Sequence, residues 1–203
     1  EVMDRLEKAG FQAYLVGGSV RDMLLGREPK DYDIATDATP DQVKPLFPKV
    51  IPTGEKYGTV TVLNGIPIEV TTFRKDGRYL DGRRPESVDF SDSLEEDVKR
   101  RDFTINALAM TKEGVLKDPL DVQRDIWLEH IHCVGDPNER FNEDALRMMR
   151  AIRFACQLGF SISAPTYYAI RRNARLISNV SWERIRDELA KILLSERPCM
   201  GIS

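Results

Sequence analysis

Apolar and polar positions change rhythm several times along the chain, and each change marks an element. Residues 1 to 9 repeat with a helical period and stop at Gly10, whereas Phe11 to Val16 alternates in twos as a half-buried strand does. Gly17-Gly18-Ser19 then stands at a strand-to-helix junction, because Ser19 to Leu25 reads as a helix closed by Gly26. Lys30 to Ala35 reads as a strand. Thr39 before Pro40 is an N-cap with proline at the first helical position, opening a helix to about Phe47. Thr59 to Leu63 and Ile66 to Phe73 are β-rich and meet at Asn64-Gly65, a strong hairpin signal.

Arg74 to Asp92 has no periodicity and is rich in Gly, Arg, Asp and Pro, which predicts a long mobile loop of the kind kept for function. Ser93-Leu94-Glu95-Glu96 is a capping box that starts the next helix. Short β-like stretches follow near residues 107 to 118 and 131 to 134. From Phe141 onward the pattern is helical throughout, with helices expected at 141–157, 164–175 and 181–194. The boundary therefore falls near residue 139, between an α+β head (1–139) and an all-helical neck (140–203).

Composition changes this picture little. With 203 residues and 41% hydrophobic content the chain can bury an ordinary core, and a net charge of −3 means that any basic surface must be local. Cys133, Cys156 and Cys199 show no CxxC spacing, which fits structural thiols in a reduced, cytoplasmic protein. No apolar run approaches the ~20 residues of a membrane span, so no membrane partner is expected. The chain starts at Glu1 without a methionine, and the expectation is a fragment of a longer protein.

Candidate chemistry begins at Asp31-Tyr32-Asp33. On a strand, the two-residue period puts both carboxylates on one face and Tyr32 and Ile34 on the other. Adjacent like charges are reasonable there if a cation neutralises them, and oxygen-only ligands favour Mg2+. The same period in Ile68-Glu69-Val70 isolates Glu69 as a third carboxylate. Three such acids suit a pair of ions ~3.5 to 4 Å apart, one serving an attacking hydroxyl and one a leaving pyrophosphate. Read alone, the acidic pair is more often a solvated strand end than a metal site. Gly17 and Gly18, one short helix upstream, alter that balance, because they let a phosphate approach the main chain at a helix N-terminus where Arg21 adds charge.

Four ordered motifs now stand in the chain: Leu15-Val16-Gly17-Gly18-Ser19-Val20-Arg21-Asp22, Asp31-Tyr32-Asp33, Arg100-Arg101-Asp102-Phe103-Thr104-Ile105-Asn106-Ala107, and Glu143-Asp144-Ala145-Leu146-Arg147. Together they resemble the class II tRNA nucleotidyltransferases, the CCA-adding enzymes and their poly(A) polymerase relatives, over essentially the whole chain. The resemblance implies a DNA polymerase β-like head with a mixed sheet and flanking helices, followed by the helical neck. It also implies body and tail domains beyond these residues. Arg101 and Asp102 are implied contacts to the phosphates and ribose of the incoming nucleotide.

Glu143, Asp144 and Arg147 read as neighbours at the start of one long helix. Cytosine and adenine present an amino donor beside a ring-nitrogen acceptor, whereas uracil and guanine present a carbonyl beside an N–H. An acceptor from Asp144 next to a donor from Arg147 therefore complements C and A and opposes U and G. The family is understood to select bases in this way, with Glu143 orienting the arginine. Arg150, one turn on, supports the cluster, and Arg153 faces elsewhere.

The expected activity is transfer of CMP and AMP from CTP and ATP to the tRNA 3′ end. Terminal-A addition and poly(A) synthesis remain as alternative enzyme readings, and a nucleotide-binding RNA-interaction module as a non-enzyme reading. The resemblance implies that the 74–92 loop favours full CCA or terminal-A addition, since relatives adding only CC lack much of it, and Pro52 to Val60 resembles the CCA-adding branch. His130 and His132, without a third ligand, read as packing or surface residues, and Trp127 and Trp182 as core or rim.

Overall fold

The computed structural model describes residues 1–76 and 88–202. Helix α1 (Val2–Lys8) buries Val2 and Leu6, one turn apart, and releases the chain into β1 (Ala13–Val16). Then come α2 (Gly18–Leu24), β2 (Asp33–Thr36) and α3 (Pro40–Val43). The start of α3 is a capping box, in which the Thr39 N–H donates to Gln42 Oε1 at 2.8 Å. Strand β3 (Val50–Gly54) precedes the hairpin of β4 (Thr59–Asn64) and β5 (Ile66–Thr72), which turns at Gly65 as Asn64-Gly65 predicts.

Strands β6 (Arg74–Asp76) and β7 (Val88–Phe90) pair antiparallel, so both ends of the expected 74–92 loop are ordered as a ladder. The centre of that loop, residues 77–87, lies outside the described residues. Helix α4 (Leu94–Lys99) leads to the short strands β8 (Ala109–Met110) and β9 (Leu116–Lys117).

Seven strands form one mixed sheet in the order β3-β4-β5-β2-β1-β8-β9. Every neighbouring pair is antiparallel except β2 and β5. The strand period sorts the core: Ile34, Val60, Val62 and Val70 pack with Val2, Leu6 and Val43 in one cluster, whereas Val16, Ala35, Phe73 and Ala109 form another. Strand β2 contributes to both clusters, which is why Ile34, Ala35 and Thr36 are all buried.

The second part of the chain contains α5 (Gln123–Trp127), β10 (His130–Ile131), α6 (Pro137–Glu143) and α7 (Leu146–Leu158). It continues with β11 (Ser161–Ile162), α8 (Ala164–Asn173), α9 (Trp182–Leu193) and α10 (Cys199–Ile202). Helix α7 packs against α9 and α10, and α6 against α8, over buried Phe141, Ala151 and Ile192. Phe103 meets Phe154 edge to face at 5.8 Å. The described residues divide into two compact units, 1–76 with 88–101 and 106–122, and 102–105 with 123–202.

Four expectations change, and the first concerns the neck: residues 140–203 are not all-helical, because β11 interrupts the helices to pair parallel with β10. Strand β2 begins at Asp33 rather than Lys30, because β1 ends opposite it at Val16 and the chain turns away at Gly17. Asp31 therefore precedes the strand, although the Glu69 N–H still donates to the Tyr32 carbonyl at 3.2 Å. The helix expected over 141–157 is two helices, broken where Asp144 adopts φ −150° and ψ 104°. Trp127 and Trp182 are 61% and 68% exposed, which leaves the rim of the two readings given them. Cys133 and Cys156 are buried, but Cys199 is exposed and does not fill a core position. Among the described residues no helix is long and apolar enough to cross a membrane.

Candidate active site

In the first unit, the turn between β1 and α2 sets the geometry. Gly17 has φ 73° and ψ −138°, a backbone that side chains resist. A Cβ there would come 3.3 Å from Arg101 Nη1 and 3.7 Å from Asp33 Oδ2, so glycine lets an acid and a base close on the main chain. Ser19 Oγ fastens the turn by donating to the Val16 carbonyl at 2.8 Å. Arg21 lies beneath it: Nη1 donates to Asn106 Oδ1 at 2.8 Å, and Nε and Nη2 donate to Asp22 Oδ1. Its guanidinium braces Gly18, whose Cβ position is 3.3 Å from Arg21 Nη2.

The parallel pairing of β2 with β5 places Asp33 opposite Glu69 in register. Glu69 is exposed between half-buried Ile68 and buried Val70, the alternation that singles it out in the sequence. Burial pushes the Asp33 carboxyl above the usual carboxylate range, and the charges of Glu69 and Asp31 push it further while Arg101 pulls it down. Crowded oxygen-only donors of one sign suit a hard divalent cation. Among the described residues, however, no three His, Cys, Asp or Glu side chains converge closely enough to hold a metal ion. The acids thus fit a cation by charge and donor chemistry rather than as a finished cage. His130 and His132 contribute no such group either.

Arg101 reaches Gly17 from the end of α4. Its Nη2 donates to Asp97 Oδ2 at 3.0 Å and its Nη1 to the Asn106 carbonyl at 3.4 Å, while Nε is buried without a partner among the described residues. Asp97 is fully buried and also accepts from Arg100 Nε and Nη2 at 2.9 and 2.7 Å. Burial alone would raise its carboxyl, but the two guanidinium groups overcome that and hold it below the usual range.

The second unit carries the remaining motif residues. Asp102 accepts from the Phe103 N–H at 2.8 Å and from Arg150 Nε and Nη2 at 2.8 and 2.5 Å. Arg150 also lies over the Phe154 ring at 5.5 Å. Glu143 accepts from Arg140 Nη1 at 3.0 Å and from Arg147 Nη1, so the glutamate does hold the arginine, from the last turn of α6 to the first of α7. Arg147 Nη1 further donates to the Arg140 carbonyl at 3.1 Å.

Asp144 sits in the break. Its Oδ1 accepts from the Leu146 N–H at 3.1 Å, and Arg184 on α9 binds both oxygens at 3.2 and 2.7 Å. Arg153 binds Glu188 on α9 at 2.6 Å and lies over the Phe154 ring at 4.2 Å, on which Arg150 also rests. Sequence reasoning missed Asp97, Asn106 and Arg184. Asp97 lies three and four residues before Arg100 and Arg101, a spacing that by itself reads as a surface ion pair, and Arg184 is 40 residues from Asp144 with no local signal.

Known proteins match this arrangement. The family described as the Poly A polymerase head domain matches residues 13–132, and one described as the probable RNA and SrmB-binding site of polymerase A matches residues 159–202. A CCA-adding enzyme of Levilactobacillus brevis is 50% identical over 203 residues, covering 100% of this chain and 51% of its own. That of Geobacillus thermodenitrificans is 54% identical over 193 residues, covering 95% and 48%.

The crystal structure of the Bacillus stearothermophilus CCA-adding enzyme in complex with CTP superposes with a TM-score of 0.87 at 45% identity, over 97% of this chain and 51% of that one. A tRNA nucleotidyltransferase complexed with a primer tRNA and an incoming ATP analogue gives 0.82 at 31%, over 100% and 58%. The chain spans about half the length of the curated relatives it matches. These matches bear out the α+β, polymerase β-like head with its mixed sheet. With the family pattern running from β1 through the acidic strand and Arg101 to β10, the chain belongs to the poly A polymerase head-domain family.

Proposed function

We propose that residues 1–139 are the catalytic head and 140–203 the base-selecting neck of a cytoplasmic CCA-adding tRNA nucleotidyltransferase, which transfers CMP and AMP from CTP and ATP to the tRNA 3′ end. The observation that carries this reading is the register of Asp33 with Glu69 beside Gly17 and Arg101. Asp31 and Asp33, with Glu69 beside them, would hold Mg2+, which would neutralise charge at the attacking hydroxyl and the departing pyrophosphate. Gly17 and Gly18 give the phosphates access to the main chain. Arg101 offers a guanidinium fork to phosphate oxygens, with Arg21 bracing the turn behind.

Asp102, set by Arg150 of the neck, accepts from a ribose hydroxyl. Asp144 supplies an acceptor and Arg147 a donor to the base edge, favouring cytosine and adenine. A carboxylate has roughly four acceptor directions, and Arg184 and Leu146 occupy three at Asp144, so its alignment is restricted before any base arrives. Glu143 does the same for Arg147.

Two measurements test the proposal. In a titration with CTP, ATP, UTP and GTP, the first two bind and the last two bind at least about tenfold more weakly, and equal binding of all four sinks the base-selection reading. With the rest of the protein present, tRNA lacking its CCA end takes up labelled CTP and then one AMP. Long adenylate tails without CMP uptake indicate a poly(A) polymerase instead.

A further inference from the structure

We infer that Asp97 is a positioning residue for the nucleotide site, fixing the Arg101 guanidinium so that its remaining donors face an incoming triphosphate. The inference rests on the role proposed for Arg101. Asp97 is on α4, fully buried, and among the described residues makes no hydrogen bond to Gly17 or to the acids of β2 and β5. A buried carboxylate without partners is expensive, and this one is enclosed by two guanidinium groups. One acid between two arginines leaves an excess of one positive charge, and that excess lies toward Gly17 and Asp33, where a phosphate would be received.

The sharing between the two arginines is unequal. Arg100 spends Nε and Nη2 on Asp97 at 2.9 and 2.7 Å, whereas Arg101 gives it only Nη2 at 3.0 Å. Arg101 Nη1 makes a long 3.4 Å bond to the Asn106 carbonyl, and its Nε is buried and unpartnered among the described residues. An ion pair serving stability alone would satisfy these donors, since orphaned buried N–H groups are rare. Arg101 is instead held at one corner, and its Nη1, 3.3 Å from the Gly17 Cβ position and only loosely bonded, is the donor group placed to meet a phosphate. The brace continues through Asn106, whose side-chain oxygen accepts from Arg21 at 2.8 Å, so Asp97 and Arg21 fix the two sides of the Gly17-Gly18 turn.

The test compares Asp97→Asn, which keeps the shape and removes the charge, with Arg100→Gln, which disturbs the same buried carboxylate but leaves its bond to Arg101. Each is measured by thermal melting, by titration with CTP and ATP, and by the slowly exchanging Nε–H signal of Arg101 in nitrogen-15 NMR. For Asp97→Asn the affinity for both nucleotides falls roughly tenfold by the same factor, and the Arg101 signal broadens or is lost. Adding Arg101→Ala to it weakens binding no further than Arg101→Ala alone. Arg100→Gln lowers the melting temperature while nucleotide affinity and the Arg101 signal persist.

An Arg101 signal unmoved by Asp97→Asn overturns the inference. So does a loss of affinity that follows melting temperature equally in both variants, or one that adds fully to Arg101→Ala. A parent protein that binds neither nucleotide, yet loses the Arg101 signal on Asp97→Asn, defeats the proposed function and leaves the positioning intact.

Discussion

Asp33 is held where burial and the charges of Glu69 and Asp31 all oppose its ionised form. In the unfolded chain this carboxyl titrates near 3.8, and in the folded protein it titrates higher. Between those two pH values the folded state binds the proton more tightly, so stability falls as pH rises through the window and ionised Asp33 costs stability at neutral pH. Asp33→Asn is therefore expected to melt above the parent at neutral pH without divalent metal, with the gap closing as pH falls toward 3.8. Under the proposed function, in which Asp33 is a metal ligand, the same change should lower nucleotide incorporation at least about 1,000-fold, or ~4 kcal/mol. A variant that melts lower at neutral pH would contradict the electrostatic account.

The thiols offer a second check at this scale. Burial pushes Cys133 up to about 12, whereas Cys199 is exposed. Alkylation of the native protein near pH 8 should therefore modify Cys199 and spare Cys133 until denaturant is added, as peptide mapping would show. Asp33 and Glu69 were legible in the sequence because the strand period isolates each from apolar neighbours. Asp97 was not, since burial is invisible in a spacing that surface helices share.

Among the elements, local chemistry announced itself and long-range chemistry did not. The Thr39-Pro40 cap, the Ser93 N-cap and the Asn64-Gly65 turn fall where the sequence puts them, because each needs only residues within four positions, although the Ser93 N–H donates to Ser91 Oγ rather than to Glu96 and completes no capping box. The break between α6 and α7 escaped, because apolar periodicity runs through it and what fixes Asp144 is Arg184 on α9. That dependence is measurable. Arg184→Ala leaves a nearly buried carboxylate with one backbone donor, and the cost should be about 1–3 kcal/mol in urea unfolding. Under the proposed function, discrimination of CTP and ATP against UTP and GTP should shrink as well, since Asp144 gains alternative orientations. Unchanged discrimination at reduced stability would make Arg184 a structural clasp only.

Taken over the whole chain, charge looks unpromising for an RNA partner, with 30 basic against 33 acidic residues. Local surfaces matter more. Helix α8 and the turn after it expose Arg171, Arg172 and Arg175, beside Tyr167 and Tyr168, which are 47% and 63% exposed. These positions lie within the stretch matched by the family described as a probable RNA-binding site. Exposed guanidinium groups beside aromatic rings suit phosphates and unpaired bases. Under the proposed function, replacing all three arginines with alanine should weaken binding of an acceptor-stem RNA and flatten its salt dependence. Each lost phosphate contact removes roughly 0.7–0.9 from the slope of log K against log salt, so the slope should fall by up to about 2–3. The affinity for free CTP should stay within about twofold, because none of the three arginines is assigned to the nucleotide. If the salt slope is unchanged, the RNA is gripped by other surfaces, and α8 is an exposed helix with no part in holding it.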